Sequence, residues 1–80
     1  MENNGTAVRK IVSKIIKKDP SQIDLNDDLI EKYGMDSMQR VEIVIELEKQ
    51  FNIEISDEVS IKLRTLKNIL DLVQNEASTA

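Results

Sequence analysis

The sequence predicts an all-α fold, a small four-helix bundle in which the third helix is short and the first connection is long. Two observations carry this expectation. Apolar residues recur every three or four positions in separate stretches, and breaks at Pro20, Asn52 and Ser56 part those stretches. A chain of 80 residues, 40% hydrophobic, has material for one domain with one modest core. A single domain is therefore expected over residues 1–80, with flexible ends at 1–5 and 75–80. Gly5 and Gly34 are the two glycines and Pro20 the one proline, which leaves little basis for a long flexible linker.

Each element follows from its spacing. Val8, Ile11, Val12, Ile15 and Ile16 make one apolar stripe of a first helix near 6–18, with Lys14, Lys17 and Lys18 on its wetter side. Asp19-Pro20-Ser21 reads as stop and turn, because proline has no amide hydrogen to continue a helix. Ile23, Leu25, Leu29, Ile30 and Tyr33 make the following connection too apolar for a tether, so it is expected to cover the core and to fix where Ser37 points.

The second helix is expected over 37–50. Asp36 can cap its free amides, and Gln39 can return a hydrogen bond to the cap backbone. Val44, Leu47, Ile43 and Phe51 face inward, whereas Met38, Val41 and Ile45 lie on a neighbouring face among Glu42 and Glu48. Two readings are open for Met38 and Ile45: the edge of a wide core stripe, or the centre of an interface with an acidic rim. Asn52 permits a bend, and Ile53-Glu54-Ile55 is too brief to demand a strand. Ser56 can cap a short third helix near 57–62, in which Val59, Ile61 and Leu63 partly cover the core. Thr65 caps the last helix, where Leu66, Ile69, Leu70 and Val73 pack inward over 66–73.

Charge and composition narrow the chemistry. The net charge of −4 is uneven: residues 1–20 carry +3, residues 21–59 carry −8 and residues 60–80 carry +1. The acidic middle suits basic protein surfaces and repels nucleic acid. Without cysteine or histidine there is no disulfide scaffold, no cysteine-based zinc site and no imidazole base. Asp24, Asn26 and Asp28 begin like a calcium loop, but Leu29 stands where the turn needs glycine and Met35 where it needs glutamate. The apolar runs are too short for a transmembrane helix and no secretory segment stands at the N-terminus, so a cytoplasmic monomer is expected.

Ser37 is the distinctive residue. It follows the acidic cap in Gly34-Met35-Asp36-Ser37-Met38, at the first position of the second helix, where the helix dipole favours an attached anion. No histidine exists to activate it, so an attachment point fits better than a nucleophile. Asp36-Ser37-Met38, followed by Val41-Glu42-Ile43-Val44, Leu47-Glu48, Phe51, Ile53-Glu54-Ile55 and Asp57-Glu58, resembles the acyl carrier protein family along nearly the whole chain. In that family the serine of an Asp-Ser-Leu signature receives 4'-phosphopantetheine; Met38 replaces the leucine.

The resemblance implies a carrier, not an enzyme. A phosphopantetheinyl transferase would use coenzyme A and magnesium to load Ser37, and the arm's thiol would hold acyl groups as thioesters for fatty-acid or related polyketide biosynthesis. Asp36 would act as cap and recognition residue. Met38, Val41, Glu42, Ile45 and Glu48 would meet partners in transient complexes: the transferase, and acyl-transfer, condensing and acyl-modifying enzymes. Gln39-Arg40 departs from the acidic residue and threonine common in fatty-acid carriers, and Ser56 from a common proline, which bears on partner choice. Arg40 can alternatively pair with a nearby glutamate. A specialised nonribosomal or lipid-modifying carrier and an unmodified interaction module are the other readings. A serine hydrolase has no activating group to support it.

Overall fold

A computed structural model describes residues 4–78. Among these residues five α-helices form: α1 (Asn4–Ile16), α2 (Leu29–Tyr33), α3 (Ser37–Phe51), α4 (Asp57–Ser60) and α5 (Leu66–Ser78), with a 3-10 turn at Pro20–Gln22 between α1 and α2. The four expected helices are α1, α3, α4 and α5; the long first connection holds the 3-10 turn and α2. No strand occurs among the described residues. Of the expected flexible ends, residues 1–3 and 79–80 lie outside the described residues. Asn4 and Gly5 belong to α1, and α5 continues to Ser78, five residues past the end expected from its apolar spacing.

The core is the one the spacing implies. Val8, Val12, Ile43, Leu47, Leu66, Ile69 and Val73 are buried, and α1 packs against both α3 and α5. Two expected core residues are not in it. Leu25 is 44% exposed and Ile61 62% exposed; each sits at a turn between helices, where no helical period assigns it an inward face. Met35, between α2 and α3, is buried instead.

Helix ends follow local chemistry. α1 stops at Ile16, two residues short of the expected end. Lys17 adopts the left-handed conformation (φ 61°) and the Lys18 amide closes onto the Ser13 carbonyl at 3.0 Å. Asn52 does the same after α3 (φ 54°), with Ile53 N–H donating to Glu48 O. Ser56 Oγ accepts from Val59 N–H, and Thr65 Oγ1 from Asn68 N–H. Asn68 Oδ1 accepts in return from Thr65 N–H at 3.2 Å, a reciprocal cap built on asparagine.

The first connection is stitched down by groups distant in sequence. Arg9 Nη1 donates to the carbonyls of Pro20 (2.9 Å) and Ile23, holding the 3-10 turn against α1. Arg64 donates through Nε and Nη2 to Asp28 Oδ2 (3.0 and 2.6 Å), while its own carbonyl accepts from Leu29 N–H at 2.7 Å. Lys67 N–H donates to Leu25 O at 3.0 Å. The start of α5 thereby fixes both ends of the segment leading into α2.

Within that segment the acids are tied to local donors. Asp28 Oδ1 caps α2 by accepting from the amides of Ile30 and Glu31. Asp27 Oδ2 faces the Asp24 amide, the Lys32 ammonium and, at 2.8 Å, the Tyr33 hydroxyl, which also lies 2.9 Å from the Gln22 carbonyl. The Glu31 amide and Arg64 hold the Asp28 carboxyl below the usual carboxylate range, and the Asp24 amide and Tyr33 hydroxyl do so for Asp27. Among the described residues no cluster could hold a metal ion, since these aspartates serve as caps and anchors.

Candidate functional site

α2 ends at Gly34, whose φ of 70° reverses the chain so that the Met35 amide can donate to Leu29 O at 3.0 Å. With Met35 buried as an anchor, Asp36 emerges in extended conformation as the cap of α3. Asp36 Oδ1 accepts from Gln39 N–H at 2.8 Å, and Gln39 Oε1 accepts from Asp36 N–H at 3.2 Å. The reciprocal pair expected from the sequence is thus present. Gln39 Nε2 also donates to Ile15 O at 3.4 Å, bringing the start of α3 beside the end of α1.

Ser37 is the first residue of α3 and is exposed. Its backbone is held by the cap, yet no described side chain hydrogen-bonds its hydroxyl. Such an oxygen is accessible and oriented but has no general base. It can accept a covalent group; it has nothing to ionise it for attack. An anion attached there sits at the positive end of a fifteen-residue helix, where unpaired amide dipoles favour it.

A stripe of exposed apolar side chains runs along α3 from Ser37. Met38 is 73% exposed, Val41 48% and Ile45 43%. At 3.6 residues per turn these three lie within about 60° of arc, and Ser37 and Val41 are one turn apart on the same face. The structure therefore does not use Met38 and Ile45 to complete the core. Glu42 is exposed beside them. Glu48 differs: it is half-buried, and its Oε2 accepts from Ile55 N–H at 2.9 Å, pinning the segment before α4 to α3. Its first task is structural. Arg40 forms no ion pair among the described residues, and its Nε is buried without an acceptor.

The comparisons with known proteins match this geometry. A family profile described as phosphopantetheine attachment site covers residues 6–73. The chain belongs to the acyl carrier protein family. It is 34% identical over 76 residues to an acyl carrier protein of Buchnera aphidicola subsp. Schizaphis graminum, spanning 95% of this chain and 96% of that one. It is 31% identical over 74 residues to an acyl carrier protein of Phaeodactylum tricornutum, spanning 92% and 97%. Among solved structures, an acyl-carrier structure from Mycobacterium tuberculosis superposes with a TM-score of 0.78 at 22% identity, over 96% of this chain and 97% of that one. The 3-oxo-butyl carrier of the actinorhodin polyketide synthase from Streptomyces coelicolor gives 0.77 at 24%, over 95% and 92%. Both structural likenesses show the fold.

The chain is thus a carrier of the acyl and phosphopantetheine type, which presents substrates to other enzymes and does no catalysis itself. Carriers of this kind meet phosphopantetheinyl transferases and acyl-modifying enzymes. No described helix is long and apolar enough to cross a membrane. Sequence reasoning missed Arg9 and Arg64, which hold the approach to Ser37, and read Tyr33 there only as an apolar residue, without its hydroxyl contacts to Gln22 and Asp27; no short motif marks such distant pairings.

Proposed function

We propose that Ser37 carries 4'-phosphopantetheine and that the chain, as a cytoplasmic monomeric unit, tethers acyl intermediates as thioesters for fatty-acid or related polyketide biosynthesis. The observation that supports this most is the exposed Ser37 hydroxyl, unpartnered yet held at the start of α3 by the reciprocal Asp36–Gln39 cap. When bound, the group supplies a flexible thiol that bears the acyl chain. Asp36 orients the first turn, the amides of that turn favour the phosphodiester, and Gly34 and Met35 set the approach.

Docking is assigned to the face that Ser37 shares. Met38, Val41 and Ile45 would form its apolar centre, Glu42 its free carboxylate and Glu48 a tethered one. A transferase using coenzyme A and magnesium, and then acyl-transfer, condensing and acyl-modifying enzymes, would each approach this face with a basic rim. Binding there brings the tethered carbonyl to successive active sites at high local concentration.

The test is intact-mass analysis before and after incubation with coenzyme A, magnesium and a permissive transferase, with peptide mapping. One phosphopantetheine group should be gained at Ser37, and Ser37→Ala should gain none. Modification elsewhere, or no modification of folded protein across several permissive transferases, would overturn the assignment.

A further inference from the structure

A groove of about 540 Å³ lies between α1 and α3, apart from the Ser37 hydroxyl. Its two walls carry opposite charge. Lys14 and Lys17 stand on the α1 side, joined by Lys10; Glu42 and Glu46 stand one turn apart on the α3 side. Ile11 and Ile15 lie between them, and Ile45 forms the outer apolar lip. Apolar surface therefore grades from buried Ile11 through half-buried Ile15 to Ile45, which is 43% exposed.

Opposite charges that flank one cleft would close it if they could reach each other. Among the described residues, no hydrogen bond or ion pair joins Lys14 or Lys17 to Glu42 or Glu46. The walls are held apart by the α1–α3 packing and present both signs outward. A partner element with only basic side chains would meet the glutamates and be repelled by the lysines; one with only acidic side chains would meet the reverse. An anionic membrane surface is disfavoured by the glutamate wall for the same reason.

We infer that this groove seats an amphipathic helix of a partner enzyme that carries an apolar ridge flanked by an acidic row on the α1 side and a basic row on the α3 side. The ridge covers Ile15 and Ile45 in the helix-in-groove manner. Ile45 and Glu42 belong both to this groove and to the docking face beside Ser37, so the two surfaces are continuous. The lysines on the α1 side then act as a selectivity edge: within the groove they favour a two-signed element, whose basic row meets Glu42 and Glu46, over a uniformly basic one. The partner's identity as an enzyme rests on the carrier reading above. The groove's charge preference does not, because it is a property of the unmodified chain.

The experiment uses unmodified, isotope-labelled full-length chain and three synthetic helical peptides of about 14 residues, each about 20 Å long. All share a leucine ridge. One is flanked by glutamates on one side and lysines on the other, one by lysines on both, one by glutamates on both. Titrations run at about 0.15 M salt, where the Debye length is ~8 Å and the net charge of the chain is largely screened. The two-signed peptide is expected to bind about tenfold or more tightly than either single-signed peptide, shifting resonances of Ile11, Ile15 and Ile45. In Lys14→Glu/Lys17→Glu both walls become acidic, and the doubly basic peptide should take the lead. Lys14→Gln/Lys17→Gln should lose the preference without reversing it, and circular dichroism checks that each variant folds.

Leadership of the doubly basic peptide on the wild type would overturn the proposal. So would unmoved α1 resonances, an unchanged order in the glutamate variant, or lysine-dependent binding to phosphatidylserine vesicles. Failure of Ser37 to accept phosphopantetheine would instead strike the carrier reading and leave these titrations intact.

Discussion

Replacing Asp36 separates two roles that its position combines. Asp36→Ala removes the acceptor for Gln39 N–H at 2.8 Å but keeps the backbone amide at position 36, from which Gln39 Oε1 accepts at 3.2 Å. Loss of a capping side chain costs roughly 0.5–2 kcal/mol. That pair is exposed, so water re-satisfies the Gln39 amide and the cost should fall near the middle, about 1 kcal/mol. For a chain of this size that corresponds to a midpoint lowered by about 4–8 °C, or roughly a fivefold drop in the folding equilibrium. Asp36→Asn keeps an amide oxygen in the same place, and asparagine caps as well as aspartate, so its stability should stay within a few tenths of a kcal/mol of wild type. Urea unfolding followed by circular dichroism reads both. Transferase kinetics then divide the functional roles. If the carboxylate charge is recognised, Asp36→Asn raises KM for the carrier while remaining as stable as wild type. If Asp36 only orients Ser37, Asp36→Asn loads normally and Asp36→Ala does not. Equal destabilisation by alanine and asparagine would refute the capping argument, because then the acceptor geometry contributes nothing.

Leu47 is fully buried, so Leu47→Ala should cost about 2–5 kcal/mol in chemical unfolding, a large share of what a domain this small has; a cost under about 1 kcal/mol would mean the core closes over the gap. Left-handed positions should respond in opposite senses to glycine. Lys17→Gly should stabilise by about 0.5–1 kcal/mol, and Gly34→Ala should destabilise by about 1–2 kcal/mol through backbone strain alone, since an added Cβ at Gly34 meets nothing within 4 Å. Acid should loosen the first connection. Asp27 and Asp28 have folded pKa values below the ordinary 3.8, so their stabilisation is present above that pH and is lost as pH falls below it; Asp28→Asn should flatten this acid limb in pH-dependent unfolding. At the alkaline end, burial and the Asp27 hydrogen bond raise the Tyr33 pKa above 10.0, so its contribution persists below that pH and fades above it; Tyr33→Phe should remove the fade.

What the sequence made legible is what depends on neighbours within four positions. The Asp36–Gln39 cap, the Ser56 and Thr65 caps and the inward set of Ile43, Val44 and Leu47 are all local patterns, and each stands where spacing alone puts it. Leu25 and Ile61 defeated the same reasoning because they lie in turns, where no helical period assigns a face and hydrophobicity alone does not bury a side chain. Glu48 reads as a docking acid because it borders the apolar face of its helix; the sequence pattern did not show that its carboxylate also holds the Ile55 amide across a bend.

The approach to Ser37 is where local reading runs out most instructively. Apolar residues marked 23–33 as packed, correctly apart from Leu25, but the groups that hold it are Arg9, eleven and fourteen positions from its acceptors, and Arg64, thirty-six from Asp28. Arginine at such separations leaves no periodic trace, yet the Arg64–Asp28 fork joins the α2 cap to the start of α5, and α2 ends at the Gly34 turn that delivers Asp36. An exposed ion pair alone would contribute little stability. This one acts through geometry, because Asp28 uses its second oxygen to cap α2 while Leu29 donates to the Arg64 carbonyl beside it. The direction of Ser37 is consequently set twice, once by a cap written in its own tetrapeptide and once by a clamp assembled only when Arg64 meets Asp28.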